Sequence, residues 1–166
     1  MRDFLLISVT GLVLLILQTT AVGFMIPARF KPDLVLVLVS WAGLRLALLP
    51  GIGFSFGIGI LVDLMSGSPV GLFALIYSLV FVVLGYLDAT FDIDRPLGQA
   101  IAVFGATLFS GMAVLSVSWL SGPLEFTVHS AWEMLLKAFV GGLAAVVMIP
   151  ALDRIRSGST KLLGVS

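Results

Sequence analysis

Apolar residues run along this chain in blocks too long for the core of a soluble domain, and Pro, Gly and Ser punctuate them. Segmenting at that punctuation gives six spans, about 4–26, 33–49, 51–65, 70–87, 97–121 and 130–152. A membrane-crossing helix needs roughly 20 residues, so these spans use nearly all of residues 1–166. The pattern predicts a single integral membrane domain, all-α, a polytopic bundle of six transmembrane helices. The second and third spans are short and separated only by Pro50, which predicts one tight helical hairpin with Pro50 opening its second arm. The first span begins Met1-Arg2-Asp3-Phe4 like a signal peptide, but its apolar character continues through Val22 to Ile26. That is longer than a signal h-region, and a retained anchor is expected.

Composition agrees with a lipid solvent: 60% of residues are hydrophobic and 11% charged, far from soluble norms. Nine Lys and Arg balance nine Asp and Glu, so no basic face for nucleic acid is implied. The absence of cysteine excludes disulfides, thiolate zinc sites and cysteine nucleophiles. Under the six-span reading Arg2, Arg45, Arg95, Arg154, Arg156 and Lys161 share one side, Arg29 and Lys31 the other, and Lys137 lies inside the last span. The excess places both termini in the cytoplasm.

The ionisable residues are then weighed against the cost of charge near hydrocarbon. Asp33 follows Pro32 at the start of the second span, where the positive end of the helix dipole favours a carboxylate. Arg45 near the other end of that span is expected to snorkel to the headgroups. Asp88, Asp92 and Asp94 read as a hydrated acidic loop rather than a magnesium site. Glu125, His129, Glu133 and Lys137 recur every four residues. An i,i+4 ion pair between Glu133 and Lys137 is the stronger reading, and a metal site on a lone His the weaker. Gly53-Phe54-Ser55-Phe56-Gly57 has the letters of a nucleophile elbow, but it sits inside an apolar span far from the only His. The dinucleotide and P-loop spacings are missing. No catalytic residue, metal or cofactor is therefore expected.

Asp63 is the acid that most needs a reason. It ends the apolar run of the third span, where a helix C-terminus disfavours negative charge, just before Ser66-Gly67-Ser68-Pro69. With Gly67 ending that helix in a left-handed cap and Pro69 starting the next, the carboxylate is in reach of free backbone N–H groups of the fourth span, or of Arg29 and Lys31. A polar staple of the outer turn is the first reading and a ligand or partner contact the second; as a staple, Asp63→Asn is expected to be mild and Asp63→Leu harmful. Small residues mark close helix approach: Gly98, Ala102, Ala106 and Ser110 in the fifth span, and the Gly53/Gly57 and Ser55/Gly59 pairs in the third. Internal packing is the first reading of these stripes, and an interface for a partner's transmembrane helix the second.

The order PDLVLVLVSWAGLRLALLPGIGFSFGIGILVDLMSGSPVGLFALIY, residues 32–77, resembles the core of the MreD family of bacterial rod shape-determining membrane proteins. The features that carry the resemblance are Pro32-Asp33 before an aliphatic run, Gly43-Leu44-Arg45, the glycine-rich third span, Asp63-Leu64 with Ser66-Gly67, and Gly71-Leu72. The resemblance implies a non-enzymatic scaffold of the cell-elongation machinery in the inner membrane. Its implied partners are the bitopic protein MreC, the actin-like MreB filament, the peptidoglycan polymerase and transpeptidase that extend the side wall, and membrane lipid. It also implies a six-helix fold similar to the substrate-binding S components of energy-coupling vitamin transporters. That likeness supplies the alternative, a small-molecule carrier subunit. A vitamin binder needs convergent polar and aromatic groups, and the expected outer side offers few, chiefly Trp119, Glu125, His129 and Trp132, so the scaffold is preferred.

Overall fold

A computed structural model describes residues 9–16, 18, 33–66, 69–91, 93, 95–121 and 128–161 of the chain. They form six helices and no strand: α1 (9–16), α2 (Leu34–Arg45), α3 (Leu48–Ser66), α4 (Leu72–Phe91), α5 (Pro96–Ser121) and α6 (Val128–Lys161). Four of them hold stretches long and apolar enough to cross a membrane: Leu48–Ser66, Leu72–Phe91, Pro96–Val117 and Trp132–Arg154.

The second span differs from its expectation. Instead of reaching residue 49, α2 has 12 residues, about 18 Å of helix, less than the ~30 Å of a hydrocarbon core. Leu46 turns to extended backbone, its N–H still bonded to the Ala42 carbonyl, and α3 begins at Leu48 with Pro50 in its first turn, where a missing N–H costs little. A helix this short is tolerated because protein rather than lipid surrounds it. Every residue from Val35 to Leu44 is buried, as expected for a helix apolar on all sides. It packs against α3, α4, α5 and α6 and forms the axis of the bundle.

The predicted α2–α3 hairpin is not the main pairing either, because α3 lies along α4. Glycine explains the choice. A Cβ on Gly59 would collide with the Cα of Ala74 and lie 2.6 Å from the Ala74 nitrogen, and one on Gly51 would overlap the Phe81 ring. The α2–α4 crossing is similarly close: a Cβ on Gly43 would stand 2.9 Å from the Phe81 carbonyl oxygen. On α4 the buried residues Ala74, Tyr77, Phe81 and Leu84 fall at intervals of three and four and face these partners, while Leu75, Leu79, Val83 and Tyr86 are exposed. The second tight pair, α5 with α6, uses a stripe of α6 formed by Ala138, Gly141, Gly142 and Ala145. A Cβ on Gly142 would lie 3.3 Å from the Ala100 carbonyl oxygen.

Candidate functional site

Two polar clasps hold the axial helix and the α3–α4 turn at the end of the bundle where α2, α4 and α6 begin, termed the Asp33 end; a third lies opposite. Asp63 comes from the last turns of α3 and is 1% exposed. Its Oδ1 accepts from the Phe73 N–H at 2.9 Å, and its Oδ2 from Gly71 at 2.9 Å and Ala74 at 3.3 Å. These are N–H groups at the start of α4, which have no partner within their own helix. The dipole that penalises Asp63 in α3 is thus answered by the positive end of α4. Gly71 takes φ +102° to aim its N–H into this clasp, a conformation that a Cβ disfavours. Of the two destinations anticipated for Asp63, the backbone of α4 is the one occupied here; Arg29, Lys31 and Gly67 lie outside the described residues. Ser66 adds a bond from its hydroxyl to the Asp63 carbonyl at 3.4 Å.

Asp33 caps α2. Its Oδ1 accepts from the Leu36 N–H at 3.0 Å and from Gln18 Nε2 at 3.5 Å, and its Oδ2 from the Tyr77 hydroxyl at 2.9 Å. Gln18 Oε1 in turn accepts from the Val35 N–H at 3.2 Å. One carboxylate therefore ties α2 to α4 and to Gln18, and Tyr77, 0% exposed, satisfies its polar tip inside the core.

At the opposite end Trp41 Nε1 donates to Asp153 Oδ1 at 2.8 Å, and Arg45 stands 3.6 Å from Asp153 Oδ2. Trp41 and Arg45 are one turn apart on α2 and face α6 together. Arg45, expected to snorkel, has a partly exposed side chain at this end of the bundle and also meets the carboxylate of α6. Reading along the sequence missed Asp153 and Tyr77 altogether. The usable signal was the pairing of a buried-type Trp with an Arg four residues on, which demands an acceptor from another helix. Asp153→Ala should therefore leave the indole N–H and the guanidinium without this partner, at a cost of about 1–3 kcal/mol. Thermal unfolding in detergent should show a lowered midpoint, with Asp153→Asn in between; an unchanged midpoint for both would mean that the clasp holds nothing.

The small-residue stripes divide. Ser55 and Gly59 face α4, but Gly53 and Gly57 are exposed and a Cβ on either meets nothing within 4 Å. The internal-packing expectation for Gly53 and Gly57 is thus corrected: both glycines look outward because the α3 face turned to α4 is the one carrying Gly51, Ser55 and Gly59. On α5, Gly98, Ala102 and Ala106 border an apolar groove of about 460 Å³ between α4 and α5, whereas Ser110 borders a second groove, of mixed polar and apolar lining, at the Asp33 end. The remaining candidates are dispersed. Asp88 Oδ1 accepts from the Ile93 N–H at 3.1 Å and closes the α4–α5 turn. Asp92, Asp94 and Glu125, and the side chains of Trp119 and His129, lie outside the described residues. The Gly53–Gly57 motif lies within α3, without the strand-to-helix turn of a nucleophile elbow. Among the described residues no three His, Cys, Asp or Glu side chains gather as metal ligands.

These clasps tie residues of α2, α3 and α4 to one another and to Gln18 and Asp153, and the chain matches the family described as rod shape-determining protein MreD over residues 1–154. The chain belongs to the MreD family. It is accordingly a rod-shape-determining membrane protein, and MreD is a structural family of cell-shape determinants. No curated protein and no solved structure matches the chain. Within an MreD-family chain, the motifs at Asp33, Gly43-Leu44-Arg45, Asp63 and Gly71 acquire a common meaning: they are the close crossing of α2 with α4, the fastenings of α2, α3 and α4, and, through Arg45, that of α2 to α6.

Proposed function

We propose that this MreD-family chain is a non-enzymatic scaffold of the cell-elongation complex in the inner membrane, supporting side-wall peptidoglycan synthesis by association with an MreC-like bitopic protein. The MreB-like filament and the peptidoglycan polymerase and transpeptidase are reached through that assembly. Family membership over residues 1–154 supports the reading most directly. A second support is the open Gly53/Gly57 face of α3, which no described helix covers and which suits close approach of another transmembrane helix. Both termini are cytoplasmic in this reading, from the six-against-two distribution of Lys and Arg, so the Asp33 end is extracytoplasmic.

Affinity purification of the tagged chain from native membranes tests the scaffold. An MreC-like protein should be recovered in stoichiometric amount. Recovery of an ATPase module with a coupling subunit would replace the scaffold by a carrier. Reporter fusions after residue 166 and within residues 122–129 should report opposite compartments, and a shared compartment would remove the orientation.

A further inference from the structure

The register of the antiparallel pair α5 and α6 brings two polar side chains to one level. A Cβ on Gly141 would lie 3.1 Å from the Thr107 hydroxyl oxygen, and one on Gly111 would lie 3.0 Å from the Met134 side chain. Lys137 falls between Met134 and Gly141 on α6, and Ser110 between Thr107 and Gly111 on α5. Both border the groove of about 430 Å³ at the Asp33 end, within the ~300–1,000 Å³ usual for ligand pockets. Leu36, Phe73, Val114, Leu115 and Met134 supply its apolar wall.

Each of these two side chains is short of a partner. Ser110 is 6% exposed, yet its hydroxyl enters no hydrogen bond among the described residues, whereas Ser40, Ser78 and Thr107 each donate to the carbonyl four residues back. A buried hydroxyl in that position costs free energy until something in the groove takes it up. Lys137 likewise enters no hydrogen bond or ion pair among the described residues. It stands about 7.5 Å inside the apolar stretch of α6, which begins at Trp132. Ionisable groups so placed are costly, and mark binding sites when they face a cavity. The two carboxylates that border the same groove are engaged: Asp33 accepts from Leu36, Gln18 and Tyr77, and Glu133 already has a partner.

We propose that this groove binds the phosphodiester of an anionic phospholipid, with Lys137 and Ser110 donating to its oxygens and an acyl chain lying on the apolar wall. Depth and size select this occupant. With its flexible stem turned toward the near end of α6, Lys137 brings its ammonium to the level where lipid head groups meet hydrocarbon. A transmembrane helix 10–12 Å across would need roughly twice the volume of the groove over the ~12 Å between Thr107 and Leu115. A head group carrying its own ammonium would need an open acceptor, and both bordering carboxylates are engaged. The lipid is therefore one without an amine, such as phosphatidylglycerol. The inference is independent of which protein the scaffold holds and of which side of the membrane the Asp33 end faces.

The test uses the purified full-length chain in detergent, with binding followed by native mass spectrometry and by the rise in thermal midpoint that a ligand of the native state brings. Probes are phosphatidylglycerol, phosphatidylethanolamine and free glycerol phosphate. Saturable one-to-one binding of phosphatidylglycerol is expected, weakened about tenfold or more by Lys137→Met, as loss of a charge-assisted bond implies. Ser110→Ala, which removes only the hydroxyl, should weaken it less. Arg95→Gln removes an exposed cation at the α4–α5 turn and should leave it unchanged. Midpoints in lipid-free detergent separate altered folding from altered binding, and the small change at Ser110 keeps the test open where Lys137→Met accumulates poorly. Phosphatidylethanolamine or glycerol phosphate bound as tightly as phosphatidylglycerol, or binding unchanged by both Lys137→Met and Ser110→Ala, would overturn the proposal. So would an equal loss with Arg95→Gln, which would reduce the binding to attraction by net charge.

Discussion

Replacing Asp63 by Leu should sharply reduce the amount of folded protein in the membrane, because three backbone N–H groups of α4 lose their acceptor together. Each buried donor left without a partner costs about 1–3 kcal/mol, and the bonds to a carboxylate belong to the stronger class. Partial relaxation of the turn will recover some of this, but several kcal/mol is a large part of the ~5–15 kcal/mol that holds a typical native protein together. Asp63→Asn is the informative comparison. From the sequence alone it promised to be mild, since an amide retains hydrogen-bond reach. The geometry alters that expectation: both carboxylate oxygens accept, Oδ1 from Phe73 and Oδ2 from Gly71 and Ala74. An amide must turn its NH₂ toward at least one N–H donor. The order of abundance and of thermal midpoint should be wild type, then Asn, then Leu. Equal behaviour of Asn and wild type would mean that one oxygen suffices, and equal behaviour of all three would remove the clasp from the account of stability.

What the residues revealed in advance, and what they withheld, follows from the range of each interaction. Hydropathy located the long helices, since a run of apolar residues is a local property and each of α3, α4, α5 and α6 carries one. Asp63 was legible because its partners lie only 8 to 11 residues ahead, across one turn whose Pro and Gly are visible in the chain. Asp153 was not, because its partner Trp41 is 112 residues away and nothing local distinguishes it from an acid at a helix end. The same limit explains Tyr77, which meets Asp33 across 44 residues. The shortness of α2 was hidden for a different reason. A helix buried on all sides has no amphipathic stripe, so hydropathy cannot tell an axial helix enclosed by protein from one that crosses lipid. The mixed groove at the Asp33 end stayed invisible because its α5 and α6 residues, Thr107, Ser110, Glu133 and Lys137, come to one groove only once the two helices pack.

The glycines of α3 separate folding from assembly in a way that hydropathy could not, and the two faces call for opposite outcomes. Gly59 and Gly57 are two residues apart, on different sides of the helix. A Cβ on Gly59 would run into the Ala74 backbone and lie 2.7 Å from the Phe73 carbonyl oxygen, whereas a Cβ on Gly57 meets nothing within 4 Å. Backbone at this distance cannot rotate aside as a side chain can, so Gly59→Leu has to push α3 from α4 and draw Asp63 away from the N–H groups it serves. Overpacking alone costs typically 1–3 kcal/mol, and loss of the clasp adds to it; we expect about 3 kcal/mol or more and little accumulated protein. Gly57→Leu should leave the fold intact and gain up to about 1 kcal/mol of helix propensity. Its effect belongs to the partner: with an MreC-like helix lying on the Gly53/Gly57 face, a leucine there holds the two backbones apart. Co-purification normalised to the membrane level of the variant should then fall about tenfold for each 1.4 kcal/mol lost. Normal accumulation of Gly59→Leu would contradict the tight α3–α4 crossing. Normal recovery of the partner with Gly57→Leu would move the assembly surface off this face of α3, leaving the α4–α5 groove beside Ala106 as the next place to substitute.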